Sequence, residues 1–180
     1  MKIKMNYTYH YDSPLGGITL ASDGKALTGL WFDGQKYFGS TLFSDSDPQN
    51  LSDLSLPVLE QACEWLTVYF SGKKPDFTPP LSLKAKPFSR AVWEILLTIP
   101  YGQTMTYGEI AAKIARLRGL PSMSAQAVGG AVGHNPISLI IPCHRVVGTN
   151  GRLTGYASGI DKKERLLAME RNSQKIQAVP

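Results

Sequence analysis

Cys143 followed by His144, in the string Pro142-Cys143-His144-Arg145, is the pair in this chain whose types and spacing could do covalent chemistry. A free thiol has a pKa of about 8.5 and is mostly protonated at neutral pH, so a nucleophilic cysteine needs a base, a cation or a helix dipole beside it. His144 is an adjacent base, and Glu170 lies later in a helical stretch able to fold back onto it. A Cys143 to His144 to Glu170 relay, direct or through a water, would draw the thiol proton away while the carboxylate fixes the imidazole tautomer. The dipeptide by itself favours a buried structural cysteine over a catalytic one. Cys63 sits in an amphipathic stretch with no histidine near it in sequence and reads as a packing residue. Two cysteines are too few for a disulfide framework, and three histidines show no metal-ligand spacing, so neither a metal nor a cofactor is expected. His10 and His134 read as ordinary surface or turn residues.

The elements that would carry these groups follow from periodicity. The apolar run Ile137-Ser138-Leu139-Ile140-Ile141, after the Asn135-Pro136 break, is expected to deliver Cys143 in extended form. Neighbours in a strand point to opposite faces, so a bend or a bridging water is then needed for Cys143 and His144 to meet. Upstream, Thr106 followed by Glu109 predicts a capping box at the head of YGEIAAKIARL. After Gly119-Leu120-Pro121 a second helix is expected from Ser122 or Ser124 through SAQAVGGAVG, and the two make a helix-turn-helix. The second helix carries few long side chains for base edges. It suits either sequence-independent docking on the walls of a groove or close packing against another helix. FSRAVWEILLTI predicts a preceding helix that ends at Pro100-Tyr101-Gly102.

The first forty residues read instead as strands, YTYHY, GITLAS and LTGLWF, with turn signals at Asp23-Gly24 and Asp33-Gly34. The polar stretch TLFSDSDPQNLSDLSL gives way to PVLEQACEWLTVYF, an amphipathic helix expected to cover the sheet. The proline-rich KPDFTPPLSLKAKP reads as a linker, which places an N-terminal α+β domain at 1–83 and a mostly helical domain at 84–180.

The 180 residues, 43% hydrophobic, suffice for a real core. The formal charge of +5 is unevenly placed: residues 1–83 hold 6 Lys/Arg against 9 Asp/Glu, and residues 84–180 hold 13 against 5. The basic half is the natural polyanion partner, although charge alone describes a solvated basic face as readily. No charged-then-apolar leader or spanning apolar run is visible, so a cytoplasmic protein with no membrane partner is expected.

The longer string settles what the dipeptide leaves open. NPISLIIPCHRVVGTNGRLTGYASGIDKKERLLAME, residues 135–170, resembles the active-site signature of the O6-alkylguanine-DNA alkyltransferases, also called methylated-DNA-protein-cysteine methyltransferases. The Phe88-to-Val92-Trp93 helix, IPYG, TYGEIA and AVGGAVGHNP match upstream in the same order, and SPLGGITLASDGKALTGLWF resembles the bacterial N-terminal domain of that family. The resemblance implies an α+β fold: a small antiparallel N-terminal sheet with a covering helix, ribonuclease H-like, then a helical domain with a winged helix-turn-helix-like DNA-binding motif.

It also implies a monomeric protein that binds duplex DNA containing alkylated guanine, turns the base out of the stack and moves the alkyl group from oxygen to sulfur, once per molecule, with O4-alkylthymine left open as a second substrate. Carried over to this chain, Cys143 is the acceptor, His144 the water-linked base, Glu170 the residue that orients it and Asn135 the hinge residue beside the thiol. Tyr107 would donate to the base as the oxygen leaves, and Tyr156 would wall the nucleotide pocket. Backbone groups of Cys143, Val146 and Ala157 would read the guanine edge, and Ser89 and Arg90 would contact DNA. Two positions depart from the pattern. Gln126 stands where many members carry an arginine that enters the stack, and Ser158 stands where others have glycine or a bulky residue. Relatives with tryptophan in place of the cysteine do not transfer, and this chain has Cys143. The rivals are a helix-turn-helix regulator or recruiter with an incidental cysteine, and a cysteine hydrolase, for which no acyl pocket is suggested.

Overall fold

The computed structural model describes residues 6–42, 48–53 and 55–177. Residues 1–5, where a leader would begin, and 43–47 and 54 of the polar stretch lie outside the described residues. The chain divides into two compact units, residues 1–83 with 136–138, and residues 84–135 with 139–180.

In the first unit β1 (Tyr7–Ser13), β2 (Gly16–Ser22) and β3 (Leu27–Phe32) form an antiparallel meander. The β2–β3 turn forms because the Asp23 side chain accepts from the backbone N–H of Lys25 and Ala26, 3.1 and 3.0 Å, while Gly24 takes φ +92°. A two-residue strand, β4 (Gln49–Asn50), joins β1 in parallel, so the sheet runs β3-β2-β1-β4 and is not purely antiparallel. Helix α1 (Pro57–Phe70) lies on β1, β2 and β3, burying Val58, Leu59, Ala62, Trp65, Leu66 and Tyr69, and Cys63 packs there with its thiol pushed up to about 11 by burial. Along the outer edge of β3, Leu30 donates to the Pro136 carbonyl at 2.9 Å and accepts from the Ser138 N–H at 2.9 Å. That two-bond bridge is why 136–138 belong to this unit.

The second unit packs α2 (Pro87–Leu96), α3 (Tyr107–Leu117) and α4 (Ala125–Gly133) against one another. The expected capping box is present: Thr106 Oγ1 accepts from the Glu109 N–H at 3.1 Å, and the Glu109 carboxylate accepts from the Thr106 N–H at 2.7 Å. Ser124 caps α4, and Trp93 on α2 donates its indole N–H to the Ala131 carbonyl at 2.9 Å. Short strands β5 (Met105–Thr106) and β6 (Val146–Val147) pair in parallel, and α5 (Ile160–Gln177) packs on the turn that precedes β6.

One expectation fails here. The run 137–141 is not a strand: only Ile137 forms a bridge, 138–140 turn, and Leu139 takes a left-handed φ of 69°. Cys143–Arg145 then makes a single 3-10 turn. The apolar character reports burial rather than extension, since Ile137, Leu139 and Ile141 are wholly buried. A short apolar run cannot separate the two.

Candidate active site

The 3-10 turn supplies the bend that a strand would lack. It sends Cys143 and His144 from one tight loop into the same interior, where the two residues are 5% and 0% exposed. The loop is held from behind by Asn135, whose amide donates to the Ile141 carbonyl at 2.8 Å. Burial raises the Cys143 pKa, against the opposing pull of a hydrogen bond from the Asn135 side chain and the charge of Lys163. The resting sulfur is therefore a thiol that must lose its proton as it reacts.

His144 Nε2 lies 2.7 Å from Glu170 Oε1. Burial pushes the Glu170 carboxyl up, but the hydrogen bonds of His144 and Arg145 and the guanidinium charge, joined by the His144 charge where that ring is protonated, overcome it and hold it down at about 2. An ionised carboxylate can only accept, so Nε2 carries the proton and Nδ1 is the basic nitrogen. The imidazole's own pKa is lowered, first by burial, with Glu170 opposing and the charges of Arg145 and Lys163 adding to the fall. The set at rest is thus thiol, neutral imidazole and carboxylate.

Glu170 is gripped further. Arg145 donates Nε to Oε2 at 2.9 Å and Nη2 to Oε1 at 3.0 Å, and the Gly102 N–H donates to Oε2 at 2.9 Å. The third nitrogen of Arg145 donates to the Ile99 carbonyl at 2.8 Å, and its guanidinium lies 5.5 Å from the Tyr101 ring centre.

A second cluster fixes the segment before Tyr156. The Thr154 carbonyl accepts from the Tyr107 hydroxyl at 3.2 Å and from Lys163 Nζ at 2.8 Å, and Lys163 also reaches the Gly155 carbonyl at 3.1 Å. Lys163 is wholly buried, and burial lowers its pKa to about 8, with a thiolate at Cys143 opposing the fall. Burial raises the Tyr107 pKa and keeps the Tyr156 hydroxyl protonated, and a thiolate at Cys143 would push both phenols further up. Tyr156 and Ser158 turn their oxygens away from solvent.

A groove of about 440 Å³ runs between Tyr107, Gly108, Ala125, Gln126, Gly129, Gly148 and Thr149, and it shares Tyr107 with the cluster around Cys143. Gln126 lines it from an exposed position on α4. A Cβ added at Gly130 or Gly133 would meet nothing within 4 Å, so packing inside the protein does not require either glycine. Of the residues singled out from sequence, Cys143, His144, Glu170, Asn135, Tyr107 and Tyr156 come together, and Val146 is buried at the start of β6. Ala157 and Ser158 are half-buried beside Tyr156. Ser89 and Arg90 stand on α2 outside the groove, and Arg90 Nε pairs with Glu94 on its own helix at 3.0 Å. Sequence reasoning missed Arg145 and Lys163. A signal for Lys163 existed: Lys163, Leu166, Leu167, Glu170 and Ser173 make one buried stripe at helical spacing, and two charged residues on such a stripe need a reason. Among the described residues no group of three His, Cys, Asp or Glu could hold a metal, and no helix is long and apolar enough to cross a membrane.

A buried cysteine followed by a histidine that is bonded to a buried carboxylate, in a unit whose helix-turn-helix lines a groove, describes a thiol protein built on a nucleic-acid-docking scaffold. Two family models match: the 6-O-methylguanine DNA methyltransferase DNA-binding domain over residues 87–172, and the ribonuclease-like domain of the same proteins over residues 5–83. The methylated-DNA-protein-cysteine methyltransferase of Mycobacterium tuberculosis is 45% identical over 166 residues, covering 91% of this chain and 93% of the relative. That of Methanosarcina barkeri is 38% identical, covering 90% and 95%. Among solved structures, the Mycobacterium tuberculosis OGT in complex with DNA superposes with a TM-score of 0.79 at 40% identity over 93% of this chain and 94% of that one. The O6-methylguanine-DNA methyltransferase of Pyrococcus kodakaraensis gives 0.59 at 27% identity over 92% and 99%. This chain belongs to the methylated-DNA-protein-cysteine methyltransferase family.

Proposed function

We infer that this protein repairs duplex DNA by moving the alkyl group of O6-alkylguanine onto the sulfur of Cys143, once per molecule. The observation that carries the reading is the buried Cys143, His144 and Glu170 set, with its 2.7 Å imidazole–carboxylate bond, in a chain 45% identical to a methylated-DNA-protein-cysteine methyltransferase.

The alkyl oxygen is inaccessible in a stacked pair, so the nucleotide must be turned out, at a cost of a few kcal/mol. The smooth face of α4 lies against the walls of the DNA groove, the excess of Lys and Arg in residues 84–180 supplies affinity, and Gln126 fills the gap in the stack. Tyr156 walls the extruded base, backbone groups of Cys143, Val146 and Ala157 read its edge, and Ser158 borders the alkyl group. Asn135 holds the loop that aims the sulfur. As the sulfur forms its bond to the alkyl carbon, the thiol proton passes to Nδ1 of His144, directly or through a water. The carbon–O6 bond breaks, its electron pair goes to the guanine, the base takes the Tyr107 hydroxyl proton, and the proton held by His144 returns through solvent to Tyr107. The products are S-alkylcysteine and guanine. A thioether is no leaving group, so the protein is consumed.

In this reading residues 84–180 carry the chemistry and the DNA surface, residues 1–83 support them, and the protein acts as a cytoplasmic monomer. Intact-protein mass spectrometry after incubation with an equimolar duplex containing O6-methylguanine tests it. A gain of one methylene, at most one per protein and abolished by Cys143→Ala, is expected. No gain with DNA binding retained would make this a binding module instead.

A further inference from the structure

Arg145 uses all three of its guanidinium nitrogens on buried acceptors, two of them on the two oxygens of Glu170 and one on Ile99, and only 10% of its side chain is exposed. We propose that Arg145 is a positioning residue of the alkyl transfer: by matching the charge of Glu170 through both carboxylate oxygens, it lets His144 rest as the neutral imidazole that can take the thiol proton. The proposal rests on the alkyl-transfer reading of the site.

A fully buried carboxylate needs a positive partner, and it takes one from whatever is nearest. Two candidates touch Glu170: the guanidinium, which is charged at any attainable pH, and the imidazole, which becomes charged only by gaining a proton. With Arg145 in place the carboxylate and guanidinium cancel, and a second positive charge on His144 would be uncompensated. Without it, the cheapest partner left to Glu170 is an imidazolium. That species has no lone pair on Nδ1 and cannot accept a proton from Cys143.

The other groups facing this cluster do not replace Arg145. Lys163, from the same helix as Glu170, spends its ammonium on the Thr154 and Gly155 carbonyls, and its charge bears on the imidazole in the same sense as that of Arg145. Cys143, on the same turn, rests protonated. Burial keeps the Tyr101 and Tyr156 hydroxyls protonated, and their oxygens carry no net charge. The Gly102 N–H contributes a dipole only. Lysine at 145 would supply charge without the fork that occupies two oxygens at once.

His144 can be titrated in the free protein by long-range 1H–15N spectra of 15N-histidine-labelled samples, in which the chain's three histidines give few signals. In the wild type, His144 should stay neutral at pH 6–8 with Nε2 protonated. In Arg145→Gln its titration should move up by about one pH unit or more. The single-turnover transfer rate from an O6-methylguanine duplex, flat over that window in the wild type, should fall in the variant as pH drops through the new titration. Arg145→Lys should show a smaller upward movement. An unchanged His144 titration in Arg145→Gln, or in Arg145→Lys should the glutamine variant fail to fold, overturns the proposal. So does an imidazolium that leaves the transfer rate untouched. The titration needs neither DNA nor transfer, so its failure is distinct from a failure of the wild type to accept a methyl group.

Discussion

His144 and Glu170 meet through a 2.7 Å hydrogen bond with neither side chain exposed to solvent, twenty-six residues apart in sequence. Because the carboxylate is ionised, that bond assigns the ring proton to Nε2. In Glu170→Gln the amide can present an N–H to the ring as readily as an oxygen, so the tautomer is no longer dictated. Single-turnover transfer should slow by on the order of 10²–10⁴-fold, the usual contribution of a positioned acid or base. A rate within a few-fold of wild type would remove His144 from the proton path.

The same carboxylate sets an acid limit on stability. Its folded-state pKa is depressed from 4.5 to about 2, so the folded protein binds fewer protons at this group than the unfolded chain does between those values. Its stabilising contribution is complete above about pH 4.5 and is lost as pH falls through 2. Urea unfolding from pH 6 to pH 2 should show this loss in the wild type and a shallower slope in Glu170→Gln.

Tyr107 and Lys163 converge on one carbonyl, that of Thr154. Tyr107→Phe leaves that carbonyl engaged by the ammonium, so the melting temperature should change little. Loss of a donor to the departing base should slow transfer roughly 10- to 100-fold, which is the worth of a hydrogen bond to a developing charge. Lys163→Met instead frees the Gly155 carbonyl and leaves that of Thr154 to Tyr107 alone, and hydrogen exchange should rise across residues 152–159.

Gly130 has open space where a Cβ would stand. Gly130→Leu should therefore keep or slightly raise stability, because leucine is favoured over glycine in a helix by up to about 1 kcal/mol. If α4 is the face that seats on DNA, the added side chain should weaken duplex binding about tenfold or more. Unchanged affinity, measured by fluorescence anisotropy, would place the docking surface elsewhere.

Gln126 lines the groove without a charge. Gln126→Arg adds a cation and a planar fork where the base is extruded, and should raise duplex affinity and transfer rate by roughly three- to tenfold. No gain in either would show that glutamine already serves the extruded state fully.

Local signals in the sequence determined much of this molecule. The capping box at Thr106 and Glu109, the strand-forming runs of β1 to β3 with their Asp-Gly turn signals and the stripe of α1 depend on neighbours within a few residues, and each appears where its pattern predicts. Cys143, His144 and Glu170 were legible as chemistry because residue type and string order identify them. Tertiary structure decided that His144 meets Glu170 and that the thiol is buried beside Asn135. The run 137–141 is equally apolar as strand or as buried turn, and only the bridge of Ile137 to Leu30, the Asn135 bond to Ile141 and the left-handed Leu139 make it a turn. Arg145 and Lys163 look in sequence like members of a basic surface. Tertiary packing turned them inward, where Arg145 meets both oxygens of a buried carboxylate and Lys163 meets two part-buried carbonyls.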